Sequence, residues 1–171
     1  MVSAAEYFAS HFTPSGRSGI VEPHLPISEG TPVARSRLVK IDGHCHCGQI
    51  TFEAEVDPDA VAICHCTDCQ MLTGSAFRAN VSAPADKFWL LSGTPKNYVK
   101  TAESGNKRRH AFCGNCGTPI YATAVDHPKS YSLRVGTIKQ RAAFQPKRQI
   151  WRRSALSWVD ALGAIPASDK G

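Results

Sequence analysis

Seven cysteines fall into three tight clusters in this chain. Cys45 and Cys47 form a C-x-C pair, Cys64, Cys66 and Cys69 a C-x-C-x2-C triplet, and Cys113 and Cys116 a C-x2-C pair inside FCGNCG. A soft, filled-shell cation such as Zn2+ takes four thiolate or imidazole ligands at tetrahedral positions. The two pairs together make one complete set of four. The triplet makes a second set that is one ligand short. A structural site keeps all four protein ligands, whereas a catalytic one leaves a position for water or substrate. Two Zn2+ ions per chain are expected, with Cys45, Cys47, Cys113 and Cys116 on a structural ion and Cys64, Cys66 and Cys69 on an open one.

A fourth ligand for the triplet is available in principle. His65 lies inside it, His44, His46 and His110 lie near the other cysteines, and Asp68 is close by. His65 and Asp68 sit between ligands, where their side chains should point away from a shared ion. An open three-thiolate site and a closed Cys3His site are both compatible with the spacing. Glycines beside the pairs (Gly48, Gly114, Gly117) permit the tight backbone that metal knuckles need. Bridging Cys47 to Cys113 would close a long loop, a large reduction in the entropy of the unfolded chain.

Other sources of chemistry are weak. No phosphate-binding glycine loop, nucleophile elbow or H-E-x-x-H stands in the sequence. His110 and His127 are single histidines and read as surface or core-edge positions. The basic run Lys107, Arg108, Arg109 reads as a solvated strand face or, more sharply, as a carboxylate clamp just before Cys113. Arg78, nine residues after the triplet, is a second clamp candidate. Substrate-binding roles are therefore expected at Arg78, Arg108 and Arg109.

The chain has 171 residues, 42% of them hydrophobic, which is enough for one domain with its own core. No apolar run approaches the length of a membrane span, and the N-terminus lacks the pattern of a secretory signal. A reducing, cytoplasmic setting is expected, where close cysteine pairs favour metal over disulfides. The formal charge of +6 is counted with neutral thiols. Seven thiolates and two Zn2+ add −7 and +4, leaving +3, too little to make nucleic acid an expected partner.

The elements that must carry these residues are mostly strands. Thirteen glycines and eleven prolines suggest many turns and short elements. Ile50, Phe52, Ala54 and Val56 alternate with polar residues at period two, the mark of a half-buried strand. Val61 to Ile63 delivers the chain into Cys64. Leu38 to Ile41, Ala76 to Val81, Trp89 to Leu91, Tyr98 to Thr101, Lys107 to Phe112 and Tyr131 to Val135 read as further strands. After Gln145 the chain reads as irregular, with Trp151 and Trp158 as anchors. Residues 1–36, rich in Pro and Gly, read as an irregular, surface-draped extension, with organelle targeting as the sharper alternative. Residues 37–160 read as the zinc domain and 161–171 as a tail.

The order C-x-C, C-x-C-x2-C, C-x2-C resembles the family of glutathione-dependent formaldehyde-activating enzymes, whose domain is shared with centromere protein V. The matching segments stand as GHCHCGQITFEAE, CHCTDCQMLTGSAF and RHAFCGNCGTPIY. They span roughly residues 40 to 136, with weaker similarity to Trp158. The resemblance implies a mainly β fold of twisted antiparallel sheets stapled by zinc, similar to the Mss4-like proteins. It implies a structural zinc on Cys45, Cys47, Cys113 and Cys116 and a catalytic zinc on Cys64, Cys66 and Cys69. The implied activity is that of a carbon–sulfur lyase joining glutathione to formaldehyde as S-hydroxymethylglutathione. The alternative class is a non-enzymatic zinc module for nucleic acid or protein.

Overall fold

The computed structural model describes residues 37–102 and 104–170; the expected N-terminal extension lies outside them. Among the described residues, ten strands run in order: β1 Val39–His44, β2 Thr51–Val56, β3 Ala62–Cys64, β4 Arg78–Pro84, β5 Phe88–Ser92, β6 Lys96–Thr101, β7 Lys107–Phe112, β8 Pro119–Ala124, β9 Ser130–Arg134 and β10 Arg148–Ile150. Short 3-10 turns and one α-helix, α1 Thr67–Thr73, connect them. A three-stranded sheet has the order β1-β2-β5, and a seven-stranded sheet the order β10-β3-β4-β9-β8-β7-β6. The architecture is mainly β, as expected. Every strand pairing is antiparallel except β10 on β3.

The alternation read in the sequence sets the core. On β2, Phe52, Ala54 and Val56 are buried while Thr51, Glu53 and Glu55 are only partly so. The outward acids pair with lysines, Glu53 with Lys40 at 2.9 Å and Glu55 with Lys87 at 3.1 Å. Phe52 enters a core with Ile41, Ile50, Val81, Ile120, Leu133 and Ile138. Phe88, Tyr121 and Tyr131 form an aromatic knot at its side, with ring centroids 4.5 to 5.3 Å apart. Such ring pairs add directional attraction to the area they bury.

The chain after Gln145 departs from expectation. It forms β10 and two 3-10 segments, Arg152–Ser154 and Ser157–Ala164. The main chain of β10 pairs with β3, so this segment is held by ladder hydrogen bonds rather than by its tryptophans. Trp151 is 43% exposed and Trp158 50% exposed, so neither anchors the core. Among the described residues, no helix is long and apolar enough to cross a membrane.

Candidate functional site

The paired cysteines sit on two similar turns. After β1, Cys45 N–H donates to Ile50 O and Gly48 N–H to Cys45 O, both at 3.0 Å. After β7, Cys113 N–H donates to Thr118 O and Gly117 N–H to Cys113 O, both at 2.9 Å. Gly48 and Gly117 close these turns at φ 78° and 73°, a region open to glycine at no steric cost. Thr118 ties the turns together: its Oγ1 accepts from His46 N–H at 3.1 Å and lies 3.1 Å from Cys116 Sγ. That hydroxyl is the first cause pulling the Cys116 thiol down to about 5.

The four sulfurs of Cys45, Cys47, Cys113 and Cys116 all lie within 4.8 Å of one another. Cys45 and Cys47 are 3.5 Å apart, and Cys47 and Cys113 3.7 Å. With Zn–S bonds near 2.3 Å, a tetrahedral site has sulfur–sulfur edges of about 3.8 Å. The spacing, the thiol chemistry and the two knuckles fit a zinc ion.

The triplet is built from a strand end and a helix start. Cys64 ends β3, and Cys66 caps α1, its Sγ accepting from Cys69 N–H at 3.4 Å. Gly74 closes the helix at φ 62°. The three sulfurs lie within 4.8 Å of one another, with Cys64 and Cys66 3.5 Å apart. Donation from Cys69, above all, pulls the Cys64 thiol down to about 5, with Arg78 contributing. Cys69 is correspondingly pushed up, first by Cys64 and then by burial. Three sulfurs sharing protons at this spacing also fit a metal ion.

None of the candidate fourth ligands joins the triplet among the described residues. His65 turns away, as its place between ligands suggests. It is fully buried, with Nε2–H donating to Gln149 Oε1 at 2.8 Å. Gln70 Nε2 donates to both His65 O and Ser154 O at 2.8 Å. Asp68 is ion-paired with Lys100.

The two clusters differ in what lies beside them. Cys66 and Cys69 line a cleft of about 590 Å³, whereas none of the four paired cysteines does. Among the described residues, five cationic side chains line this cleft, Arg78, Lys100, Arg108, Arg134 and Arg153, against the single carboxylate of Asp68. Of the three arginines singled out in the sequence, Arg78 and Arg108 are brought together here. Arg109 is not among the lining residues. Side chains alternate along a strand, so Arg108 and His110 share one face of β7. Arg109 takes the other, opposite Thr123 in the β7–β8 register.

Two further cleft residues, Asn80 and Arg134, carried no signal in the sequence. Arg134 is buried at the end of β9, and its Nη1 donates to Asn80 Oδ1 at 2.5 Å. Its Nη2 lies 3.5 Å from His110 Nδ1. Arg134 can only donate, so Nδ1 is the acceptor and the His110 proton sits on Nε2. Burial first, then Arg134 and Arg78, push His110 down to about 4, so the ring is neutral at pH 7. Burial first, then Arg78, pushes Arg134 down to about 9, still cationic at neutral pH. Trp151 flanks the cleft with Arg153 stacked 4.7 Å over its ring. It holds φ 59°, an unusual backbone for a bulky residue and a feature concentrated at functional sites.

Two sulfur clusters on a two-sheet β scaffold, one of them beside a cationic cleft, define a cysteine-rich β protein with two candidate metal sites. The chain belongs to the glutathione-dependent formaldehyde-activating enzyme family, whose model matches residues 40–154. It is 26% identical over 108 residues to an uncharacterized lyase of Schizosaccharomyces pombe, covering 60% of this chain and 71% of that protein. A crystal structure of a Rhodobacter sphaeroides protein matches with a TM-score of 0.50 at 18% identity, covering 63% of this chain and 98% of the other. That likeness concerns the fold.

Proposed function

We propose that this protein is a zinc-dependent carbon–sulfur lyase acting on a thiol–aldehyde adduct such as S-hydroxymethylglutathione. The observation that carries this reading is the asymmetry of the clusters: two of the set of three, Cys66 and Cys69, line the cleft and none of the set of four does. A zinc ion on three thiolates supplies a Lewis-acidic open position at which an incoming thiol is acidified. Cys64, Cys66 and Cys69 would hold it, and Cys45, Cys47, Cys113 and Cys116 would hold a second, structural ion. The family name supports glutathione and formaldehyde as the reacting pair.

The rest of the work falls to the cleft. Lys100, Arg108 and Arg153 offer cationic contacts to the carboxylates of a glutathione-like thiol. His110 is neutral, and its Nε2 can donate to the oxygen that gains charge as sulfur adds to carbon. Arg134, holding Nδ1, fixes that tautomer. A concave site of this size favours a small molecule over a polymer.

Cobalt substitution tests the reading. Glutathione added to the cobalt-loaded protein should shift the thiolate-to-metal charge-transfer bands of one site and leave the other unchanged. Exchange NMR should show the adduct forming and breaking faster than in buffer. Two spectrally inert sites, with no acceleration, would sink it.

A further inference from the structure

We infer that the floor of the cleft is a carboxylate subsite, so that a short 2-oxo acid carrying an aldehyde, such as glyoxylate, is preferred over a neutral one-carbon carbonyl. The inference rests on the thiol-addition reading and names its second substrate by class. Arg78 is 4% exposed and Arg134 7% exposed, and both line the cleft. Each carries a buried Nε–H with no hydrogen-bond partner among the described residues. Arg78 stands opposite Cys64 in the β3–β4 register, and Arg134 opposite Asn80 in the β4–β9 register. Residues two apart on a strand share a face, so Arg78 and Asn80 lie side by side there. The arginine pair is therefore built next to the triplet.

Among the described residues, no carboxylate pairs with either arginine. Asn80 and His110 orient Arg134 but are uncharged acceptors. Asp68, the one carboxylate among the described lining residues, is engaged by Lys100. Three thiolates and one divalent cation sum to −1, which offsets one guanidinium and leaves the other. A buried unpaired charge is costly, and a guanidinium fork matches a carboxylate in two parallel hydrogen bonds.

The position decides which substrate supplies the anion. The carboxylates of a glutathione-like thiol lie several bonds from its sulfur, a separation that leaves them to the other lining cations, Lys100, Arg108 and Arg153. A floor beside the reacting sulfur instead suits a carboxylate one bond from the carbonyl under attack. In the addition, the S–H bond breaks and a sulfur–carbon bond forms. The carbonyl π pair goes to oxygen, which takes up the proton. Nothing is oxidised or reduced, and the carboxylate is untouched.

Oxamate, an unreactive mimic of glyoxylate, separates binding from chemistry. Titrated calorimetrically into zinc-loaded protein without thiol, it should bind saturably, while neutral oxamide should not. Arg134→Gln should weaken oxamate about ten- to a hundredfold, Arg134→Lys should recover part of the loss, and Arg109→Gln should change nothing. If Arg134→Gln does not fold, Arg78→Gln tests the same floor. With glutathione present, glyoxylate should be a better partner than formaldehyde, and Arg134→Gln should erase that preference. Equal losses for both aldehydes, or competition between glutathione and oxamate, would overturn the assignment to the aldehyde. Oxamate binding without an adduct from any aldehyde would sink the thiol-addition reading and keep the subsite. Adduct formation from formaldehyde without oxamate binding would do the reverse.

Discussion

Asn80 and Arg134 face each other across β4 and β9, and Arg134 Nη1 donates to Asn80 Oδ1 at 2.5 Å. The pairing fixes a buried cation with a neutral acceptor, so its charge stays directed at the cleft. Asn80→Ala removes a hydrogen bond to a charged group, worth about 1.5–3 kcal/mol. Urea unfolding of the zinc-loaded protein should show a loss in that range. Asn80→Asp should keep or raise stability by pairing with Arg134, yet weaken anionic substrates. A KM increase with little change in midpoint denaturant is the expected signature.

His110 makes the pH response of the cleft legible. Its folded value is depressed to about 4, against about 6.5 in the unfolded chain. Between these values the unfolded state binds more protons, so stability rises with pH in that window. The contribution is fully present above about pH 6.5 and is lost as pH falls toward 4. Metal release at acid pH adds its own slope, so the informative quantity is a difference. The stability of wild type minus His110→Gln, followed from pH 7 to 4, should fall steadily; a flat difference would mean that the ring is not held neutral.

The two cysteine clusters should respond differently to loss of a ligand. Cys47 and Cys113 are 66 positions apart in sequence, so the four-sulfur cluster closes a long loop. Structural zinc sites contribute roughly 10–16 kcal/mol of binding free energy to folding, more than a domain's usual margin. Cys116→Ser should therefore leave little cooperatively folded protein by calorimetry. Cys69→Ser should fold, retain one zinc by metal analysis, and lose adduct formation.

The grouping of the cysteines into four and three was legible from spacing alone, because metal ligation constrains cysteine position more tightly than packing constrains apolar residues. The β2 alternation was legible for a similar reason, since one buried face imposes period two. The cleft was read less well. Arg108 and Arg109 are adjacent in sequence, and only the β7 register tells which of them shares a face with His110. Arg134 and Asn80 are 54 positions apart and meet only through the β4–β9 ladder. Helix α1 was missed because seven residues give too little periodicity. The parallel pairing of β10 on β3 depends on a long-range return of the chain that no local pattern encodes.

Gly43 is a packing requirement. A Cβ there would lie 2.0 Å from Phe52 Cζ, and Phe52 is fixed in the core across the β1–β2 register. Gly43→Ala forces ring or backbone to move, a cost of about 1–3 kcal/mol. Thermal melting of the zinc-loaded variant should show the loss. Because β1 leads into Cys45, slower metal uptake should accompany it.

The last relation links the triplet to the rim of the cleft. His65 is fully buried, its Nδ1 already has no partner among the described residues, and Gln149 Oε1 receives its only ring hydrogen bond. His65 N–H donates to Ile150 O at 3.1 Å, and Gln70 Nε2 reaches Ser154 O. The residue that follows Cys64 thus latches β10, which carries Trp151 and Arg153 to the cleft. Gln149→Leu would strand both ring nitrogens of His65, a cost of about 1–3 kcal/mol. The penalty should be local, because β10 is an edge strand of three residues. Amide exchange should quicken over residues 148–155 while the β4–β9 ladder stays protected. Loss of Arg153 from its position should raise KM for an anionic thiol more than it lowers kcat. Uniform deprotection of both regions would instead mean that Gln149 supports the whole fold.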